Sequence, residues 1–460
     1  MTTTRVSRDR AVVLGSGIAG LVTARVLADS FREVCLVERD RLGDASAPRR
    51  GTPQSRHLHG LLARGQSVLE ELLPGLTSEL VAEGAAIGDM LGDTRLCFGG
   101  HRFARGPSDL TALCVSRPAL ESAICRRVMA VPEIHVLDGR DIVGLATDRA
   151  GHRVTGVRVI GRDDGSAAEV IGADLVVETT GRGSRLPVWL AELGYPPVDT
   201  EEVRVDVGYA TRQYRLPAGA LGSDLVALSA PTPDVPRGGG ASRVEGDRCL
   251  VTLMGVLGDH PPTAPQEFVR FAADLALPEI GEVARDAEPL DDPVRYRHPV
   301  SRRYRYERPA QLPAGIVVLG DALCALNPIY GQGMTVAALQ AEALRTHLTG
   351  TSGLDTRRCQ RHASRIAGLA WGLATGADLA FPGVAARRTP ATGLLGWYVG
   401  HVQAAAAQDP AVGRAFLRVS SLVDPPQALF HPRLLALVAR GGSPSRGGPR
   451  ADEWGPPTAA

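Results

Sequence analysis

Two glycine-rich segments some three hundred residues apart constrain the fold of this chain more than any other feature. The run Gly15-Ser16-Gly17-Ile18-Ala19-Gly20 follows an apolar stretch, Ala11-Val12-Val13-Leu14, and opens a helical pattern at Leu21. That order of strand, glycine turn and helix is the context in which such a run reads as a dinucleotide fingerprint. The glycines let the backbone approach a pyrophosphate, and the helix behind them offers unpaired N–H groups and the positive end of its dipole. Glu38 ends a second apolar stretch, Val34 to Val37, and Arg39 follows it. An acidic residue about 20 positions beyond the glycines is placed to accept hydrogen bonds from a ribose.

The distal segment selects the dinucleotide. Ile316-Val317-Val318-Leu319 predicts a strand that delivers Gly320-Asp321-Ala322 to its C-terminal end. A carboxylate there can hold the hydroxyls of a ribityl chain, which FAD has and NAD lacks. Beyond Asn327-Pro328-Ile329-Tyr330, the residues Gly331 and Gly333 open an alanine-rich helix from Met334 to Leu348, which sets another helix N-terminus where the pyrimidine edge of a flavin would lie. The two segments together predict one FAD site.

With these residues the chain resembles the FAD-dependent monooxygenases built like aromatic hydroxylases and squalene epoxidase, the group A flavoproteins, over most of its length. The resemblance implies that Asp321 binds the ribityl chain. It also implies that Arg117, followed at three residues by Leu120, sits near the FAD phosphates. The segment from Asp174 to Arg185 looks like the mid-chain motif of that family, with one departure: Thr180-Gly181 stands where aromatic hydroxylases carry Asp-Gly. The Thr-Gly-Arg-Gly-Ser version is closer to bacterial polyether epoxidases that act on polyene polyketides. Gly51 to His59, Asn327 to Gly331 and Trp371 to Asp378 lean the same way.

The implied cofactor-binding set is Gly15, Gly17, Ile18, Ala19, Gly20, Glu38, Arg39, Arg117, Gly181, Gly320, Asp321, Gly331, Gly333 and Met334, with Arg50, Gln54 and Pro328 as candidate flavin-edge residues. No side chain is assigned as catalytic, because the resemblance places the reactive oxygen on the flavin as a C4a-hydroperoxide. Insertion of one oxygen atom into a hydrophobic, polyketide-like intermediate of secondary metabolism is the implied reaction, with alkene epoxidation leading. Hydroxylation of an aromatic polyketide is the runner-up. A reductase like the geranylgeranyl reductases and a non-catalytic carrier on the same fold are further alternatives. O2 is the co-substrate, and NAD(P)H acts directly or through a separate flavin reductase, since only one dinucleotide fingerprint is present.

The implied fold is α/β, a Rossmann-like FAD-binding domain with an inserted β-sheet substrate domain and a C-terminal helical region. Residues 8–65, 105–188 and 300–350 are expected to form the FAD domain. Residues 66–104 and 189–299 would form the substrate domain, 351–440 the helical region, and 441–460, rich in Gly, Pro and Ser, a disordered tail. Within this frame, residues 134–180 read as a meander with runs around Ile142, Val154 to Ile160 and Val170 to Val177. Period-two alternation at Val203 to Val207 and Cys249 to Leu253 predicts half-buried strands, and Gly238-Gly239-Gly240 a hairpin or mobile loop. Helices are expected over Arg357 to Ala380, Gly393 to Leu417 and Leu434 to Arg440.

Composition narrows the chemistry. All 51 basic residues are arginine, so Schiff-base, pyridoxal and Walker-type lysine chemistry is excluded. Flavin-dependent halogenases resemble this family in fold but rely on a lysine and a Trp-x-Trp motif, both missing here. A net charge of +1 without a basic tract argues against nucleic acid. The seven cysteines form no CxxC pair or zinc spacing, and with no secretory segment ahead of the first strand they point to a reducing cytoplasm. No stretch reaches the ~18 apolar residues of a membrane span. His57 and His59 lack an identifiable third metal ligand. Asn327 reads either as a turn residue or as a brace for backbone facing the flavin. Tyr209, Tyr214, Tyr304 and Tyr306 read either as pocket lining or as the cover of a sheet face.

Overall fold

The computed structural model describes residues 8–42, 53–162, 167–216, 219–308, 310–349, 354–385 and 388–441. The candidate Arg50, the start of the Gly51 to His59 segment and the tail beyond Gly441 lie outside these residues. Its architecture is mixed α/β. A five-stranded parallel sheet runs in the spatial order Ile316–Val318, Leu175–Glu178, Arg8–Leu14, Phe31–Val37, Ile134–Leu137. These strands are short apolar runs whose central residues are buried on both faces, as a helix-covered parallel sheet demands. The helices Ile18–Ala28, Arg117–Met129 and Gly333–Leu348 pack around them, and the helices Ala63–Leu72 and Leu76–Ala82 add Val68, Leu69, Leu72, Leu76 and Leu80 to the same core.

A second sheet is mixed and much wider. Its centre is the long strand Thr200–Arg215, paired antiparallel with Val294–Tyr304 on one side and Arg248–Gly255 on the other. Arg237–Val244, Val226–Ser229 and Thr94–Phe98 extend it. One face packs on the parallel-sheet core through Val203, Val205, Val207, Tyr209 and Met254. The other carries Ala210, Tyr214, Val251 and Leu253 against Phe268 and Phe271 of the helix Pro265–Ala273.

Four expectations need correction. Gly238-Gly239-Gly240 is neither hairpin nor loop but the interior of the strand Arg237–Val244. A Cβ on Gly239 would lie 2.6 Å from Leu275 Cδ1 and one on Gly240 2.9 Å from Leu58 Cδ2, so the glycines admit neighbours to both faces. The strand holding Cys249 to Leu253 is buried on both faces: the Phe268 helix covers Cys249, Val251 and Leu253, and on the side that alternation assigned to solvent Thr252 is buried and accepts from Leu58 N at 3.0 Å. The Val170 to Val177 run is split by Gly172-Ala173-Asp174: Glu169–Gly172 completes a three-stranded antiparallel meander with Val154–Gly161 and Arg140–Thr147, whereas Leu175–Glu178 belongs to the parallel sheet. The helix expected over Gly393 to Leu417 is two, Pro390–Ala406 and Pro410–Ser420. Pro410 cannot continue a helix from before it but starts one well, and the Asp409 side chain caps that start on Ala411 N at 2.8 Å.

Candidate functional site: a crevice at the C-terminal edge of the parallel sheet

Because the five strands are parallel, the loops leaving their C-terminal ends gather along one edge, where open α/β sheets hold their ligands. Three of those loops come from adjacent strands and touch. The first, after Arg8–Leu14, carries Gly15 to Gly20. The second, after Leu175–Glu178, carries Thr179 to Gly183. The third, after Ile316–Val318, carries Gly320 to Ala322. Ala19 and Gly320 are in direct contact, since a Cβ on Gly320 would stand 2.8 Å from Ala19 Cβ. The two glycine segments therefore meet in space.

The three fingerprint glycines differ in what surrounds them. Gly15 has φ +93°, and a Cβ there would press on the Thr179 carbonyl at 3.1 Å, so it makes the tight turn between strand and loop. Gly20 lies where a Cβ would fall 1.8 Å from the Gly15 carbonyl oxygen, which closes the helix onto the strand. Gly17 has nothing within 4 Å of its Cβ position and is the N-cap of Ile18–Ala28, with no side chain capping the helix. Open space in front of uncapped N–H groups is a cradle for an anion. The helix Gly333–Leu348 is likewise uncapped by any side chain. By contrast, Ser116 and Asp355 cap their helices with side-chain oxygens.

Glu38 stands at the end of its strand with Oε2 accepting from Ser16 N at 2.8 Å and Ser16 Oγ at 2.7 Å, and Oε1 accepting from Asp40 N at 2.9 Å. A carboxylate has about four acceptor positions, so with these three taken about one remains for a ribose hydroxyl. Arg39 is exposed beside it. Asp321 faces the start of the distal helix, its Oδ1 being 3.7 Å from the Cβ position of Gly333. Burial pushes its carboxyl upward, and the charges of Arg182 and Arg117 act the other way. Arg117 is buried, donates to Glu121 at 2.8 Å, and leaves its Nε without a partner.

Gly181 stands open in the second loop, with φ +77° and nothing near its Cβ position. Thr180, the departure from the aromatic-hydroxylase pattern, donates through both its amide and its hydroxyl to the wholly buried Glu178. Ile18 and Met334 are buried at the two helix starts, and Gln54 lies in the 3-10 turn Pro53–Arg56. Exposed Pro328 opens a second such turn, Pro328–Tyr330, which ends in Gly331 at φ +65°. Asn327 is a turn residue, its Oδ1 accepting from Ile329 N at 3.1 Å, and its Nδ2 donates to Asp378 at 2.8 Å.

Tyr296 and His298, which sequence reading did not single out, join the crevice with Arg182, His57 and His59. The Arg182 guanidinium stacks 5.2 Å from the centre of the Tyr296 ring and donates to His298 Nδ1 at 3.0 Å. That bond makes Nδ1 the acceptor and puts the proton on Nε2, which faces Ser301 Oγ. Burial, with Arg182 adding to it, holds His298 down at about 4. His57 packs between Tyr209 and Tyr296, with centroids 6.0 and 5.4 Å away, its Nδ1 2.7 Å from Thr211 Oγ1 and its Nε2 unpartnered. Burial lowers it to about 4, so it is neutral near pH 7. His59 Nδ1 donates to the His57 carbonyl at 2.8 Å. Among the described residues no cluster suited to a metal is present. Of the four tyrosines, only Tyr209 stands here. Tyr214 is sealed in the core behind the wide sheet, while Tyr304 and Tyr306 pack on each other at 5.5 Å.

This is the fold of FAD-dependent monooxygenases and flavin-dependent halogenases. The structure is similar to that of PqsL, a probable FAD-dependent monooxygenase from Pseudomonas aeruginosa (TM-score 0.61, 16% identity, 81% of this chain and 94% of that one). It is also similar to the flavin-dependent brominase Bmp2 (0.64, 14%, 95% and 98%) and the flavin-dependent halogenase CmlS (0.64, 15%, 91% and 78%). No family model matches the chain. In sequence it is 35% identical to Protein Rv3254 of Mycobacterium tuberculosis over 434 residues, 91% of this chain and 90% of that protein, and it belongs to the same family. All seven cysteines are free and buried, and among the described residues no helix is long and apolar enough to cross a membrane.

Proposed function

We propose that the chain is a FAD-dependent monooxygenase acting on a hydrophobic, polyketide-like intermediate, with alkene epoxidation as its reaction. The observation that carries this reading is the contact between Ala19 and Gly320, which gives the open cradle at Gly17 and the carboxylate of Asp321 one shared crevice. The pyrophosphate would lie against Gly15, Gly17, Ile18, Ala19 and Gly20, the ribose against Glu38 with Arg39 alongside, and the phosphates within the field of Arg117. Gly181 and Gly320 leave room for the chain of the cofactor, Asp321 receives the ribityl hydroxyls, and the amides from Gly331 to Met334 meet the ring. Bound FAD supplies oxygen activation, reduced by NAD(P)H directly or through a separate reductase.

The side chains orient the substrate and exclude water. Tyr209, Tyr296, Met254, Thr211 and Thr252 share register positions on the face of the wide sheet toward this crevice, a mix of apolar area and a few hydroxyls in which all but Tyr296 are buried. Such a face suits an extended apolar molecule with scattered oxygen functions. A chain without lysine is poorly equipped for halogenation of the kind the related fold supports. One observation favours aromatic hydroxylation as the second reading: His57, neutral near pH 7, has a buried Nε2 without a partner that can pair with a phenol hydroxyl.

Turnover of a panel of polyene and aromatic polyketides under labelled dioxygen tests the reading. One labelled oxygen atom per product is expected. A product saturated by two hydrogens and free of label would instead make the protein a reductase.

A further inference from the structure

Asp378 is the last residue of the helix Thr356–Asp378 and is wholly buried. Its Oδ1 accepts from Asn327 Nδ2 at 2.8 Å and from the Tyr330 hydroxyl at 2.7 Å, while its Oδ2 has no partner. Burial pushes the carboxyl up to about 6, and only the Tyr330 and Asn327 bonds oppose that push. A buried carboxylate held, among the described residues, by two neutral donors and no cation is costly to the fold.

The two donors bracket the turn Pro328–Tyr330, and Asn327 caps the same turn through Ile329 N. Three residues later the helix Gly333–Leu348 begins, without a side-chain cap and facing Asp321. Among the described residues Tyr209 of the wide sheet also faces Asp378, with a buried, unpartnered hydroxyl that feels the Asp378 charge. Asp378 thus stands where the C-terminal helical region, the distal glycine segment and the wide sheet meet.

We propose that Asp378 is a positioning residue of the flavin site: through Asn327 and Tyr330 it clamps the turn that aims the Gly331–Met334 amides at the isoalloxazine. This rests on the FAD reading above. Removing the carboxylate leaves two buried donors unpaired and lets the turn relax, whereas an amide in its place still offers an oxygen to both. The effect falls on the ring end of the crevice and leaves the Gly17 end untouched.

The test is titration of apoprotein with FAD and, separately, with ADP, together with the visible spectrum of bound flavin. Asp378→Ala is expected to weaken FAD about tenfold or more and to shift the flavin bands, with ADP affinity unchanged; Asp378→Asn stays within about threefold of wild type. Tyr330→Phe, which removes one hydroxyl, weakens FAD by about threefold, and adding it to Asp378→Ala produces no further loss. A folded Asp378→Ala protein with wild-type FAD affinity and spectrum overturns the proposal, as does equal damage from Asp378→Asn. Loss of ADP binding in step with FAD would mean a general structural role and also overturns it. If Asp378→Ala does not fold, Tyr330→Phe decides, and wild-type behaviour there is fatal. A wild-type protein that binds ADP but never FAD sinks the cofactor reading itself, a failure distinguishable from that of the clamp.

Discussion

Gly17→Val is expected to give a folded, colourless protein. The Cβ position of Gly17 is free of neighbours within 4 Å, and its backbone, at φ −67° and ψ 177°, is one that a β-branched residue adopts without strain. The folded state loses only a glycine N-cap, a cost of at most about 1 kcal/mol. The valine methyl groups, however, stand in the space through which a pyrophosphate must approach the N–H groups of the helix Ile18–Ala28. Loss of those charge-assisted bonds is expected to weaken FAD by about 100-fold or more, on the order of 3 kcal/mol. Purification with the flavin absorbance ratioed to protein, alongside circular dichroism, measures both parts. A yellow Gly17→Val protein with full FAD content contradicts the assignment of this loop.

Gly20→Ala is expected to do the reverse, damaging the fold first. Its Cβ would fall 1.8 Å from the Gly15 carbonyl oxygen, 2.9 Å from the Gly15 carbonyl carbon and 2.9 Å from Thr179 Oγ1. Two of these three atoms are backbone, so no flexible side chain can swing aside. The helix must move off the strand, which disturbs Leu14, Leu21 and Val177 in the main core. A cost of about 3 kcal/mol or more is expected, large for a single methyl. Thermal unfolding of the apoprotein shows it as a marked fall in Tm or as insoluble expression, and a wild-type Tm would refute the close packing described. The pair of variants separates two uses of glycine only three residues apart: space for a ligand and space for a neighbouring backbone.

The legibility of this chain follows the range of the interactions. The fingerprint was readable because each part is local: an apolar strand, a turn that needs glycine, a helix start, an acid at a set offset. The distal segment was readable for the same reason. Their meeting at Ala19 and Gly320 then follows from strands of one parallel sheet ending on one edge. Asp378 carries no local mark beyond ending the Trp371 to Asp378 segment, since its partners Asn327 and Tyr330 are 51 and 48 residues away. Gly238-Gly239-Gly240 misled because glycine marks both mobile turns and close approach, and only the coordinates of Leu58 and Leu275 show which. Alternation at Cys249 to Leu253 reveals the face that the Phe268 helix covers but not the Leu58 segment, 194 residues away, that covers Thr252 on the other.

Titration of apoprotein with FAD and with ADP, for wild type and Asp321→Ala, tests the central claim most directly, because the two ligands share the adenosine diphosphate half and only FAD has a ribityl chain. Wild type is expected to bind one FAD per chain and to bind ADP in competition with it, and Asp321→Ala to lose FAD affinity by about 100-fold while binding ADP as wild type does. FAD affinity unchanged in Asp321→Ala, or ADP and FAD binding together without competition, would contradict a single crevice that holds both halves of one cofactor.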